Sequence, residues 1–151
     1  FSQENERMSR IEWDESISVG VDWIDVQHKT WISYLNDMSE AVAARQSAVQ
    51  VVRTLGFLID YTEFHFATEE KHMQSSGYPG LEEHKAKHDK LRETLARLVE
   101  DYGEDGPTRN LAEDLDTFLG NWLKNHIRDI DQGFGAFLKA EGIVITDAIQ
   151  P

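Results

Sequence analysis

The sequence predicts an all-α protein, an antiparallel up-down-up-down four-helix bundle with an extended N-terminal arm. Four long stretches place apolar residues at intervals of three and four, short breaker segments separate them, and no stretch shows sustained strand alternation. Helices of about 22 to 32 residues joined by short loops should pack antiparallel with crossing angles of about 20°. We expect the arm at residues 1–20, the bundle at 21–140 and a C-terminal tail at 141–151.

Each of the first two predicted helices carries histidine on its apolar face. The first runs from Asp22, taken as its N-cap, to Ala44, and its inward stripe consists of Ile24, His28, Trp31, Leu35, Met38 and Val42. The second follows a capping box of Ser47 and Gln50, and its stripe consists of Val51, Leu55, Leu58, Thr62, His65, Glu69 and His72 or Met73. Polar residues therefore end an otherwise apolar seam.

The last two predicted helices also bury histidine. The segment SSGYPG at 75–80 ends the second helix, and a nearly strict heptad follows through Leu81, His84, His88, Leu91, Leu95, Leu98 and Tyr102. The segment GEDGP at 103–107 is predicted as the next loop. The final helix then runs from Arg109 to Ala140 through Leu115, Leu119, Trp122, Leu123, His126, Ile127, Ile130 and Phe134.

The composition excludes several classes of function. With 15 basic and 28 acidic side chains the net charge is -13, the wrong sign for binding nucleic acid or an anionic membrane surface. There is no cysteine, which excludes iron–sulfur clusters and thiolate nucleophiles, so any metal must bind to nitrogen and oxygen. No apolar run approaches the roughly 20 residues that span a bilayer, and we expect a soluble, cytoplasmic domain without membrane contact.

Five of the six histidines fall on the inward faces of the predicted helices, namely His28, His65, His84, His88 and His126. A single histidine on an apolar face is more often an ordinary core residue than a ligand. Five buried rings, however, would each need a hydrogen-bond partner or cost about 1–3 kcal/mol. A shared metal centre satisfies all of them at once.

The local spacing and the number of these side chains favour two metal ions. His65 and Glu69, like His84 and His88, lie four residues apart and so differ by only about 40° around a helix. Zinc needs only four ligands, and calcium and magnesium prefer oxygen. Five imidazoles with carboxylates exceed the needs of one ion and suit two transition ions such as iron.

These motifs resemble the hemerythrin and bacteriohemerythrin family, four-helix bundles with a non-haem di-iron site that binds dioxygen reversibly. The resemblance covers about residues 11–140 and rests on GVDWIDVQHKTW, HFATEE, GYPGLEEHKAKH and WLKNHIRDID, which occur in the family's order. It implies that His84, His88 and His126 hold one iron and that His28 and His65 hold the other. It further implies that Glu69, Asp131 and an oxo or hydroxo group bridge the two ions.

The implied ligand set leaves one coordination position open. Five histidines, two bridging carboxylates and the oxo or hydroxo bridge supply eleven of roughly twelve bonds to two octahedral ions. The vacancy falls on the iron with two histidines. The imidazole-rich set favours a non-enzymatic role in dioxygen carriage, storage, delivery or sensing, with a signalling or oxidase partner still to be identified. The alternatives are a di-iron oxidase, a peroxidase, a nitric-oxide-handling enzyme or an iron store.

Two residues, Asp131 and His72, are not assigned by regular helix geometry alone. Asp131 lies five residues after His126, about 140° away on an ideal helix, so regular geometry would sooner choose Asp129. Because the resemblance selects Asp131, we predict a π-type irregularity near residues 126–131 or a long bridging span. His72 returns to the face of His65, so geometry permits it as an extra ligand. We predict instead that it is partly exposed near the helix end and that Glu70 also faces solvent.

Large apolar side chains lie within one turn of the predicted ligands. We predict that they form the wall of a dry dioxygen pocket, with Leu123 as the strongest candidate; the set is Trp31, Phe66, Trp122 and Leu123. Aromatic and leucine stripes at this spacing are usually only core. A dry wall matters because water promotes oxidation of the site.

Overall fold

The computed structural model describes residues 11–105 and 109–145, and all the regular structure within these ranges is helical. A short 3-10 turn at Glu15–Ile17 comes first. Helices α1, α2, α3 and α4 follow at Asp22–Ala43, Ala48–Ser76, Leu81–Asp105 and Arg109–His126. A π segment at Ile127–Asp131 then joins α4 to α5 at Gln132–Ala140, so that α4, the π segment and α5 form one long rod. The four rods confirm the predicted all-α bundle.

The ends of α2 follow the predicted signals. The Ser47 side chain accepts a hydrogen bond from the backbone N–H of Gln50 at 3.3 Å, which satisfies one of the free donors of the first turn. Gly77 ends the helix in the left-handed region with φ 71°, and the N–H of Tyr78 donates to the carbonyl of Met73. Glycine favours this left-handed cap because it has no Cβ to clash.

Two predicted boundaries are wrong by a short distance. Val21, rather than Asp22, is the N-cap of α1. Asp22 lies in the first turn, where its negative charge interacts favourably with the positive end of the helix dipole. Helix α3 extends to Asp105, past Gly103, where a loop was predicted. A single glycine costs a helix only about 1 kcal/mol, which is too little to end one by itself.

The core consists of two apolar clusters with a polar layer between them. On α1, Ile24 belongs to one cluster and Trp31 to the other, with His28 between them. On α2, Glu69 lies between Phe66 of one cluster and Met73 of the other. On the last rod, Asp131 lies between Ile127 and Phe134 in the same way. The bundle therefore surrounds its buried polar side chains with apolar packing above and below.

The described part of the arm is fixed to the bundle by hydrogen bonds between its backbone and two side chains of α1. The N–H of Ile11 donates to the Asn36 amide oxygen at 3.1 Å, and the Asn36 amide nitrogen donates back to the Ile11 carbonyl at 2.8 Å. The N–H of Val19 donates to Asp25 at 2.9 Å. Gly135 on α5 is buried against the arm, since a Cβ at this position would lie 2.4 Å from the Val19 carbonyl oxygen.

None of the helices in the described ranges combines the length and apolar character that a membrane crossing requires.

Candidate metal centre

Seven buried histidine and carboxylate side chains meet in the polar layer. None is more than 3% exposed, and the set comprises His28, His65, Glu69, His84, His88, His126 and Asp131. They form two overlapping groups, and within each group the potential ligand atoms all lie within 4.8 Å of one another. One group has His84, His88 and His126, the other has His28 and His65, and both contain Glu69 and Asp131. The structure therefore brings together every predicted ligand.

Regular helix geometry positions most of this set. His65 and Glu69 lie one turn apart on α2, and His84 and His88 lie one turn apart on α3. Residues at this interval project from the same face of a helix and therefore reach the same place. His28 reaches the layer from α1, so all four rods contribute.

Asp131 reaches the layer because the last rod is not a regular α-helix. The π segment Ile127–Asp131 confirms the predicted irregularity, and its wider turn brings a residue five positions after His126 back towards the same face. The Asp131 carboxylate is fully buried, with Oδ1 3.0 Å from the His126 Nε2. Asp129, which ideal geometry favours, is 56% exposed and pairs with Arg128 at 3.0 Å.

The separations between the polar atoms fit ligands that share metal ions. The His28 Nε2 lies 2.8 Å from the Asp131 Oδ2, and the His84 Nε2 lies 2.9 Å from the Asp131 Oδ1 and 3.0 Å from the Glu69 Oε1. Two atoms that bind one ion at about 2.1 Å and at right angles are about 3 Å apart. The nitrogen–carboxylate distances thus match a coordination shell.

The hydrogen-bonding state of these atoms gives an independent test of the fit. Among the described residues, several fully buried side-chain atoms have no hydrogen bond of acceptable geometry, including the Nε2 of His28, His65 and His84 and both carboxylate oxygens of Glu69 and Asp131. Each buried polar atom without a partner costs about 1–3 kcal/mol. Bound cations would supply the missing partners, so the residues fit a pair of metal ions.

In two histidines, the ring nitrogen that points away from the polar layer has an oxygen acceptor. The Nδ1 of His65 lies 2.7 Å from the Gln27 amide oxygen, and the Nδ1 of His88 lies 2.7 Å from the Glu70 carboxylate. Both acceptors fix the proton on Nδ1 and leave the Nε2 lone pair free towards the polar layer. The helical periodicity did not identify Gln27 as a partner of a ligand histidine. Its position directly before His28, on a buried turn, could have indicated this role.

The charges in the layer are those of a cation site. Burial lowers the pKa of His65 to about 3, so this ring is neutral at physiological pH. Burial also disfavours protonation of His84, but the carboxylates of Asp131 and Glu69 outweigh it and raise the pKa of His84 to about 10. Burial opposes ionisation of Asp131 as well, yet the histidines around it hold its pKa well below the ordinary value. The carboxylates are therefore anionic and attract positive charge.

Two sequence-based predictions about the same helix are wrong. His72 is only 5% exposed and packs with its ring centroid 5.2 Å from that of Trp23, because α2 continues to Ser76 and α1 covers its end. It belongs to neither group of potential ligands among the described residues. The Glu70 side chain is 16% exposed and faces His88 rather than solvent.

A narrow apolar cavity lies beside the metal centre. Its volume is about 10 Å³, close to the minimum that holds one water molecule, and its lining is Trp31, Leu35, Leu58, Thr62, Leu91, Leu119, Trp122 and Leu123. The Trp31 indole N–H donates to the Thr62 hydroxyl at 2.9 Å, so these two polar groups of the wall are paired with each other. Three of the four predicted pocket residues line it. Phe66 does not, but it stacks on His88 at 3.8 Å.

The chain matches the family model described as the hemerythrin HHE cation binding domain over residues 19–138. It belongs to the hemerythrin family. A bacteriohemerythrin of Stenotrophomonas maltophilia is 36% identical over 135 residues, which cover 88% of this chain and 84% of that protein. A bacteriohemerythrin of Methylococcus capsulatus is 34% identical over 88% of this chain and 100% of its own length. The myohemerythrin of Theromyzon tessulatum is 30% identical over 80% of this chain and 87% of its own length.

Solved hemerythrin structures have the same fold. The crystal structure of wild-type hemerythrin superimposes with a TM-score of 0.77 at 31% sequence identity, over 83% of this chain and 95% of that one. Family membership and the four-helix bundle predicted from the sequence are thus confirmed. The hemerythrin family carries a di-iron centre, and the buried layer of this chain has the ligand types for it.

Proposed function

We propose that this hemerythrin-family chain binds dioxygen reversibly at two iron ions held in the buried polar layer. The observation that carries the proposal is the division of the ligands into two overlapping groups. His84, His88 and His126 would hold one iron, and His28 and His65 would hold the other. Glu69 and Asp131, which belong to both groups, would bridge the ions with an oxo or hydroxo group.

The chain's own residues favour binding over catalysis. When bound, the iron pair supplies the reversible redox chemistry that holds dioxygen. Neutral imidazoles keep the negative charge of the site low, which helps the ferrous state to return. The aromatic rings limit water around the histidines: Trp122 stacks on His126 at 4.4 Å, and Trp31 lies 4.9 Å from His65.

The apolar cavity lies next to both halves of the centre. Trp31 lines it, and its ring centroid lies 4.9 Å from that of His65 and 6.3 Å from that of His28, the two histidines of the smaller group. Trp122 also lines it and stacks on His126 of the larger group at 4.4 Å. The proposed open position on the iron with two histidines therefore rests on the number of ligands in each group.

Metal analysis with oxygen titration tests the proposed function. We expect two irons per chain and a visible absorption band that rises when oxygen is added to the reduced protein and falls when oxygen is removed. Continuous consumption of dioxygen with a reductant would instead identify an oxidase or peroxidase. Iron binding without any oxygen-dependent band would contradict reversible binding and favour iron storage.

Replacement of Leu123 by asparagine tests the dry wall. Leu123 is 3% exposed and lines the cavity, so an amide in its place would attract water towards the centre. We expect Leu123→Asn to accelerate oxidation of the oxygenated protein roughly tenfold, equivalent to about 1.4 kcal/mol in the barrier. The measurement is the decay of the oxygenated band, and Leu123→Met, which keeps the wall apolar, should stay close to wild type. Equal oxidation rates in wild type and both variants would contradict the proposal that Leu123 keeps water away from the centre.

Oxygen carriage and oxygen sensing would use the same metal centre, so the centre cannot distinguish them. We propose that the behaviour of the N-terminal arm distinguishes them. The amide of Gln132, the residue after Asp131, donates to the Ser18 carbonyl of the arm at 3.1 Å. Hydrogen exchange of residues 11–20 should therefore change with oxygenation in a sensor and stay constant in a carrier. A signalling or oxidase partner and a cytoplasmic location stay predictions from the sequence.

A further inference from the structure

A carboxylate outside the ligand set binds the back of one ligand histidine. Glu70 Oε2 accepts from the Nδ1 of His88 at 2.7 Å, and the two side chains are 16% and 0% exposed. A carboxylate in this position fixes the ring and its tautomer, and it makes the opposite nitrogen a stronger electron donor to a metal. Through its hydrogen bond to Nδ1, Glu70 therefore affects the Nε2 of His88, which points into the polar layer.

Arg92 holds Glu70 in place. Its guanidinium donates to both oxygens of Glu70, at 2.9 Å and 3.3 Å, in the forked geometry that arginine forms with carboxylates. The same guanidinium donates to Glu63 at 2.8 Å and to Asp89 at 2.8 Å, and it lies 5.2 Å from the Phe66 ring. Its positive charge is thus shared among three carboxylates and only partly offsets the charge of Glu70.

The other half of the centre has a neutral partner at the equivalent position. The Nδ1 of His65 meets the amide oxygen of Gln27 at 2.7 Å, and Gln27 is fully buried. An amide oxygen fixes the tautomer as a carboxylate does, but it brings no negative charge. Since His65 and His88 belong to different groups of potential ligands, the two halves differ in charge as well as in histidine number.

We propose that Glu70, held by Arg92, is a positioning residue that stabilises the ferric state of the three-histidine half, while Gln27 leaves the two-histidine half more readily ferrous. The inference rests on the proposed di-iron function. Additional negative charge behind His88 favours the more positive ion. The asymmetry would keep the two-histidine half, which has the open position in the proposed site, ready to bind dioxygen.

Glu70→Gln tests this role because it keeps the shape and an acceptor oxygen while removing the charge. We expect its affinity for iron to fall at least tenfold in competition with a chelator, within the usual 10- to 100-fold range for such partners. We also expect a higher midpoint potential of the ferric–ferrous couple. Glu63→Gln is the matched control, because Glu63 bonds Arg92 but is 59% exposed. Its potential should equal that of wild type.

Arg92→Met gives a second test that keeps the Glu70 side chain and its hydrogen bond from His88. The methionine keeps an apolar stem near Phe66 and removes the charge that offsets the Glu70 carboxylate. We therefore expect the potential to shift in the opposite direction, to a lower value than wild type. Opposite shifts in the two variants would support the positioning role, because a merely structural role would lower stability without this change of sign.

The results separate this inference from the proposed function. If wild type binds two irons and takes up dioxygen reversibly, but Glu70→Gln and Glu63→Gln have equal potentials and affinities, the role of Glu70 is refuted and the function stands. If wild type binds no iron, both proposals are refuted. Nitrogen-resolved NMR of the histidine rings adds a readout without activity, since Glu70→Gln should move the Nδ1 resonance of His88 and leave that of His65 in place.

Discussion

Asp131→Ala should leave the protein with at most one iron per chain and without reversible uptake of dioxygen. Asp131 is fully buried, and its oxygens lie within 3.0 Å of the Nε2 atoms of His28, His84 and His126. It is one of two carboxylates common to both groups of potential ligands, so in the proposed centre its loss would remove a bridge rather than a single bond. Iron analysis and oxygen titration of the purified variant measure the result.

Asp129→Ala is the control for this experiment. It removes the same side chain two residues earlier, from a position that is 56% exposed and paired with Arg128. We expect the full iron content and normal oxygen binding, because surface substitutions of this kind usually change stability by no more than about 0.5 kcal/mol. The reverse pattern, with Asp129 required and Asp131 dispensable, would show that the bridging assignment is wrong.

Phe66→Ala should lower the free energy of unfolding by about 3–5 kcal/mol, the usual cost of deleting a buried aromatic ring. Phe66 has no exposed surface and packs on His88 at 3.8 Å and on Trp31 at 5.5 Å, at the border between the apolar core and the metal centre. Denaturant unfolding of the iron-loaded protein gives the change in stability.

Phe57→Ala provides the comparison on the same helix. Phe57 is 55% exposed, so its replacement should change the free energy of unfolding by no more than about 0.5 kcal/mol. Both variants remove the same atoms from α2, and only burial differs between them. Equal destabilisation by the two substitutions would contradict the central role assigned to Phe66.

The fold and most of the buried layer could be predicted because they depend on local periodicity. Intervals of three and four place His65 and Glu69 on one face of α2, whatever lies opposite. The short link at Ser47 and the stop at Gly77 are also encoded locally. Asp131 required the family resemblance, since an ideal helix directs it elsewhere and the π turn has no local sequence rule comparable to a cap.

The partners of Glu70 could not be predicted because they come from another helix. Periodicity places Glu70 beside the buried stripe of α2, where a solvent-exposed side chain is the ordinary expectation. Its environment is set by His88 and Arg92 on α3, 18 and 22 residues further along the chain. Burial of His72 has a similar origin, since Trp23 of α1 covers the end of α2.

The π segment makes the last rod tolerant of shortening and intolerant of lengthening at one place. In-frame loss of one codon between Arg128 and Ile130 would put the Asp131 carboxylate four residues after His126, about 40° away on a continuous α-helix, so it would still face the polar layer. Gain of one codon there would exceed the single extra residue that the π turn absorbs and would turn the downstream residues by about 100°. The Asp131 carboxylate would then leave the layer, and Gly135 would no longer face the Val19 carbonyl.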